Sequence, residues 1–235
     1  SAYADDIKDL LFGLLRGVVS RRAPGALKAF SKSDHEGTLA EADLIAALQA
    51  NGIWFQLAGI AEENAMMRAR RQIERTGGPD QVKGSFANVL ASAAALGVST
   101  SDVTAGLNRL LVGPTLTAHP TEAKRRSVRN KLRAIRELLR ERSADIGPEQ
   151  RDLVERRIGS EVAKLWQTDF FRPWRPSVMQ EVGRGLSIKP VLWETVPRIA
   201  DDIAAALKEN YAHDVRVTKP FVTFGYWIGG DRDGN

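Results

Sequence analysis

Two short stretches carry residues whose types and spacing could do chemistry: Thr117-Ala118-His119-Pro120-Thr121-Glu122, and Gly229-Gly230-Asp231-Arg232-Asp233-Gly234-Asn235. His119 can hold or release a proton near neutral pH. The paired glycines suit a tight turn whose backbone N–H groups approach a small anion, because glycine permits positive φ and close contact. Arg232 would clamp that anion, with Asp231 and Asp233 orienting its guanidinium. The plainer readings are a core or capping histidine and a surface turn with self-paired charges. A calcium loop fits poorly, since the EF-hand spacing and its closing Glu are missing.

The elements that must position these residues follow from the flanking pattern. Val112-Gly113-Pro114-Thr115-Leu116-Thr117-Ala118 is β-prone and predicts a short buried strand ending at His119, where Pro120 stops the ladder. Thr121 is the expected N-cap of a helix whose apolar face is Val128, Leu132, Ile135 and Leu139. A histidine at the carboxyl end of a strand, beside a helix start that favours anions, sits where barrels and open α/β sheets hold reacting groups. Arg125 and Arg126, in the first turn, are the residues expected to face whatever His119 touches. Phe221-Val222-Thr223-Phe224-Gly225-Tyr226-Trp227-Ile228 predicts a second strand, running straight into the glycine-arginine loop.

The rest reads as helices. Ile7, Leu10, Leu11, Leu14, Leu15, Val18 and Val19 form an apolar stripe that ends before Pro24. Thr38-Leu39-Ala40-Glu41 has the capping-box pattern ahead of Leu44, Ile45 and Leu48, with Asn51-Gly52 as the expected C-cap. A longer helix is expected from Trp54 to about Arg75, with Phe55, Ala58, Ala61, Ala65 and Ile73 on one face and Gly77-Gly78-Pro79 as its end. Ser85 and Ser99 are expected caps for two further helices. Gly147-Pro148 opens another that buries Val154, Ile158, Val162, Leu165 and Trp166. Pro173, Pro176 and Gly183 mark a loop. Leu192, Val196, Ile199, Ile203 and Leu207 define a last helix that Pro197 kinks or delays.

Composition narrows the classes. The chain has 235 residues, enough for one large domain or two small ones. It has no cysteine, which excludes disulfides, thiolate catalysis and zinc ribbons, and fits a reducing compartment. His35, His119 and His213 are scattered, against a histidine metal site. The apolar run Leu10–Leu15 is too short and too closely flanked by charge to span a membrane, and the acidic start is wrong for a signal peptide; the expectation is a cytoplasmic protein without a membrane partner. The net charge of +5, and the nine Lys or Arg against two Glu between Lys124 and Arg142, raise nucleic acid as a partner. No RNA- or DNA-reading motif accompanies them, so the basic helix reads as a solvated face.

These residues resemble one family, phosphoenolpyruvate carboxylase. Thr117 to Glu122 with Arg125-Arg126-Ser127, Lys131, Ile135 and Arg136 is similar to its histidine signature, and Phe224 to Asn235 to its second block. Weaker blocks fit in order: Gly59-Ile60-Ala61-Glu62-Glu63, then Leu165-Trp166-Gln167-Thr168-Asp169 with Glu181, Arg184-Gly185-Leu186 and Leu192-Trp193. The sequence departs where Phe170-Phe171-Arg172-Pro173-Trp174-Arg175 replaces the family's acidic residue and paired arginines, in its basic charge, and in its length.

The resemblance implies a mainly α chain: the amino-terminal part of an α-helix-rich fold around an α/β, TIM-like barrel whose first two strands lie near 112–118 and 221–228. Residues 1–111 would be a helical amino-terminal region, and 112–235 the start of the barrel. It implies carboxylation of phosphoenolpyruvate by bicarbonate to oxaloacetate and phosphate, through carboxyphosphate and an enolate, with His119 catalytic. Gly229, Gly230, Asp231, Arg232, Asp233, Asn235, Trp227, Arg125 and Arg126 would bind substrate, Trp227 as part of a CO₂ pocket. Mg²⁺ or Mn²⁺ would be held by ligands beyond Asn235, with none in this chain. The full-length enzyme would be a homotetramer, and this part alone would be inactive, needing the remainder of the chain. The alternative is a non-catalytic relative that binds an anionic metabolite or a partner subunit.

Overall fold

The computed structural model describes residues 2–31, 38–117, 125–170, 177–211 and 219–228. In chain order the elements are α1 (Ala2–Arg22), α2 (Leu27–Ser31), α3 (Glu41–Gly77), α4 (Phe86–Ala95), α5 (Thr100–Arg109), β1 (Thr115–Leu116), α6 (Arg126–Arg142), α7 (Pro148–Trp166), α8 (Val178–Gly185), α9 (Lys189–Tyr211) and β2 (Gly225–Tyr226). The chain is mainly α, as its periodicity predicts. It forms two compact units, Ser1–Ala69 with Ala123–Pro173, and Arg70–Glu122 with Trp174–Asn235.

In the first unit the apolar stripes meet as one core. Helix α1 buries Ile7, Leu11, Leu15, Val18 and Val19; α6 buries Val128, Leu132, Ile135 and Leu139; α7 buries Val154, Ile158, Val162 and Leu165. Gly147 and Pro148 open α7 as expected, proline losing nothing at a position whose N–H has no intrahelical acceptor. Phe12 stacks on Phe30 and meets Trp54 edge-on, each at 5.1 Å between ring centroids. The Tyr3 hydroxyl donates to Asn64 Oδ1 at 2.9 Å, which satisfies an amide otherwise costly to bury.

Arg142 closes the end of α6. Its side chain is only 9% exposed and donates from Nε to Glu155 at 2.7 Å and from Nη1 to Asp6 at 2.9 Å. Burial works against its charge, and the bonds to Glu155 and Asp6 outweigh it, so its pKa is raised. The arginine thereby ties α6 to α7 and α1.

Helix α3 corrects the sequence reading. The expected break at Asn51-Gly52 is absent, and one helix runs from Glu41 to Gly77. Its buried face is Ala47, Ala50, Ile53, Leu57, Ile60 and Ala61, whereas Leu48 is 62% and Phe55 72% exposed and Ile73 also faces out. Ile53 and Leu57 each contribute about 1.5–3 kcal/mol by burial, more than the roughly 1 kcal/mol that Gly52 costs in a helix interior. Packing therefore overrides the local stop signal. The helix is long and apolar enough to cross a membrane by composition, but its buried side chains belong to the first unit's core. Gly78 ends it with φ +92, as the Gly-Gly-Pro sequence predicts.

In the second unit Ser85 and Ser99 cap α4 and α5, their hydroxyls accepting from the N–H groups of Asn88 and Asp102. Ala87 and Leu90 of α4 pack on Ile203, Ala206 and Leu207 of α9, with Phe221. Helix α9 runs through Pro197 without a delayed start. Gly183, expected in a loop, lies inside α8, which Ser177 and Gln180 open with a capping box. The strands pair in parallel, Thr115 with Gly225 and Leu116 with Tyr226, with a bridge from Val112 to Val222. They are shorter than expected, and β1 is not buried: Val112 to Thr115 are exposed and Leu116 is half-buried. This pair is the sheet among the described residues.

Two stability measurements check these assignments. Gly52→Ala places a methyl in open space within a helix and is expected to raise unfolding free energy by about 0.5–1 kcal/mol in urea titration; a loss would restore a break at that position. Arg142→Ala strands two half-exposed carboxylates and is expected to cost about 2–3 kcal/mol, with Arg142→Met recovering most of it through packing.

Candidate functional site

Parallel pairing sets side by side, and in the same direction, the two strands that precede the candidate stretches in sequence. The N–H of Val112 donates to Phe221 O at 2.8 Å, that of Thr223 to Val112 O at 2.9 Å, that of Gly225 to Pro114 O at 3.0 Å, and that of Trp227 to Leu116 O at 2.9 Å. With Leu116 opposite Tyr226, the next residues of each strand, Thr117 and Trp227, leave neighbouring positions in the same direction. Neighbouring strands lie about 4.8 Å apart. His119 and the loop residues Gly229, Gly230, Asp231, Arg232, Asp233 and Asn235 follow at once, and lie outside the described residues, as does Thr121.

Two glycines make this pairing possible. A Cβ on Gly225 would stand 2.6 Å from Thr115 Oγ1, so the strands approach closely because that side chain is absent. A Cβ on Gly185 would collide with the Tyr226 hydroxyl and with Ile228. That space lets Tyr226 cross the end of α8 and donate to Val182 O at 3.1 Å, which anchors β2 just before Trp227. Trp227 itself is 54% exposed. Sequence reasoning gave the Arg184-Gly185-Leu186 block no physical role; a small residue beside a large aromatic strand was the available signal.

The sheet borders an apolar groove of about 570 Å³, lined by Leu116, Leu186, Leu192, Trp193, Phe224 and Tyr226 among others. Trp193 is 85% exposed there. The weak block Leu192-Trp193 thus supplies one wall of the groove.

In the first unit, the expected cap gives way to another start. Arg125 holds the N-cap position of α6 with no side-chain cap bond, and α6 begins at Arg126. The Arg125 N–H donates to Phe170 O at 3.2 Å, and its Nη2 lies 3.3 Å from Asp169 Oδ2. Arg126 is exposed. Further along α6, Arg136 Nε donates to Glu63 at 2.9 Å, joining two of the sequence blocks. Glu62 pairs with Lys8 at 2.7 Å; the bond holds the Glu62 carboxyl below and the Lys8 ammonium above its ordinary pKa. Among the described residues no group of three or more His, Asp or Glu could hold a metal ion.

The described residues form a mainly α chain with one short parallel strand pair, and the candidate stretches follow the two strands in sequence. Residues 20–235 match the family Phosphoenolpyruvate carboxylase. Similar proteins include the phosphoenolpyruvate carboxylases of Methylorubrum extorquens, 37% identical over 98% of this chain and 25% of the relative, Rhodothermus marinus, 35% over 82% and 21%, and Thermus thermophilus, 38% over 77% and 20%. The chain belongs to the phosphoenolpyruvate carboxylase family. It spans about a fifth to a quarter of the length of these relatives.

Gly185→Ala is expected to cost about 1–3 kcal/mol by overpacking against Tyr226 and Ile228. Gly183→Ala, with open space at the same helix, is expected to cost nothing. Denaturant unfolding of the two variants side by side checks the Gly185–Tyr226 contact.

Proposed function

We propose that this chain is part of a phosphoenolpyruvate carboxylase, which joins bicarbonate to phosphoenolpyruvate to give oxaloacetate and phosphate. The observation that carries the reading is the parallel, in-register pairing of the strands that precede His119 and the glycine-arginine loop, in a chain of that family. A bicarbonate oxygen attacks the phosphorus, the bond from phosphorus to the enol oxygen breaks, and carboxyphosphate and the pyruvate enolate form. Carboxyphosphate then breaks into CO₂ and phosphate, and the enolate carbon attacks CO₂. His119 takes the proton of the bicarbonate hydroxyl and returns it to a phosphate oxygen, a transfer suited to a group that titrates near neutral pH. Arg232, with Gly229, Gly230, Asp231, Asp233 and Asn235, holds phosphate or carboxylate oxygens, and Arg125 and Arg126 bind substrate anions. Trp227 forms part of an apolar pocket that keeps water from the enolate.

Residues 1–111 form a helical amino-terminal region in this proposal, and 112–235 open a barrel of which β1 and β2 are the first strands. Supporting the barrel, parallel sheets are ordinarily covered on both faces, whereas Leu116, Phe224 and Tyr226 border an open apolar groove. Mg²⁺ or Mn²⁺ would supply charge stabilisation in the working enzyme, held in this proposal by ligands from further chain. The working enzyme is a cytoplasmic homotetramer, and residues 1–235 alone are inactive.

The test is bicarbonate-dependent oxaloacetate formation from phosphoenolpyruvate with Mg²⁺. It compares this polypeptide, a chain extended past Asn235 to the length of its relatives, and the extended chain with His119→Asn. Turnover is expected only in the extended wild type, with His119→Asn lowering kcat by roughly 10²–10⁴-fold. A folded but inert extended chain, binding anions without turnover, would establish a carboxylase-like binder instead.

A further inference from the structure

We propose that Asp169 is a positioning residue for substrate binding: it holds the Arg125 guanidinium in place for the substrate anion. This rests on Arg125 binding substrate, as proposed above. Two consecutive residues grip this arginine, Phe170 O accepting from its backbone N–H at 3.2 Å and Asp169 Oδ2 lying 3.3 Å from its Nη2. The gripping turn is itself fixed. The Thr168 N–H donates to Leu165 O at 3.0 Å, Thr168 Oγ1 donates to Lys164 O at 2.6 Å, and Gln49 Nε2 donates to Trp166 O at 2.7 Å. Leu165 is fully buried. A continuous support thus runs from the core of the first unit, through the end of α7, to the guanidinium.

Stability does not account for the Asp169 contact. Its side chain is 83% exposed, and exposed ion pairs add little to folding. Holding a long arginine in one geometry instead reduces the ordering cost when an anion arrives. Gln167-Thr168-Asp169 is a block that the sequence singled out and to which the reaction assigned no role.

The test uses the extended, full-length chain and steady-state kinetics. Asp169→Asn is expected to raise KM for phosphoenolpyruvate about two- to fivefold with kcat nearly unchanged, the pattern of lost uniform binding. Asp169→Glu restores part of the affinity, and Asp169→Asn adds nothing in an Arg125→Ala background. Asp152→Asn, which removes the exposed pair with Arg156 at 2.8 Å on α7, keeps the wild-type KM, and thermal midpoints stay together. An unchanged or lowered KM in Asp169→Asn, or its full effect persisting without Arg125, overturns the proposal while leaving the function intact. An inert wild type, or an Arg125→Ala variant with unchanged KM, overturns it together with the reading of Arg125 on which it rests.

Discussion

The parallel hydrogen bonding between β1 and β2 is the constraint on which the rest depends. Parallel strands cannot be joined by a tight turn, so the chain between Leu116 and Gly225 must leave the sheet and return. That connection holds α6 to α9 and much of both compact units. Because register is fixed at Leu116–Tyr226, the residues after each strand set out from neighbouring points. A slip of one residue would turn Leu116 and Tyr226 to the opposite face and remove the contact of Tyr226 with Val182. Glycine at 225 and 185 makes the correct register sterically possible.

The units supply stability in different ways. The first has a long contiguous core of leucine, isoleucine and valine from α1, α3, α6 and α7, with Arg142 held by two carboxylates. The second has a smaller core around Ile203, Leu207 and Leu90, and its apolar groove stays open beside the strands. Burial on the order of 25 cal/mol per Å² of apolar area makes the first core the larger source of folding energy.

What was legible in the sequence follows from range. Val128, Leu132, Ile135 and Leu139 on α6, the serine caps of α4 and α5, and the Gly78 stop are decided within a turn or two, and the structure agrees with them. The continuity of α3 through Asn51-Gly52 is decided by a distant core, which a local stop signal cannot register. Gly183 looked like a loop residue because glycine disfavours helices, yet the Ser177 capping box starts α8 upstream of it. At the candidate site the two strands were readable, since each is a β-prone run that ends near glycine or proline, whereas their adjacency followed only from the family resemblance. The Asp169–Arg125 contact was not, because it joins residues far apart in sequence and no periodicity encodes it.

Helix α6 breaks an electrostatic rule where the proposed chemistry lies. Cations are favoured at helix C-termini and disfavoured at N-termini by about 0.3–1 kcal/mol each. Arg140 and Arg142 obey the rule at the last turn, but Arg125 and Arg126 stand at the first, where the Arg125 side chain makes no cap bond. Two guanidinium-bearing residues thus stand at the positive end of the helix dipole. A helix selected only for stability would carry Ser, Thr or Asp there. Local rules are expected to fail where function opposes them, and the proposed binding of substrate anions by Arg125 and Arg126 would be such an opposing demand, set beside a C-terminus where Arg142 satisfies both the dipole and its two carboxylates.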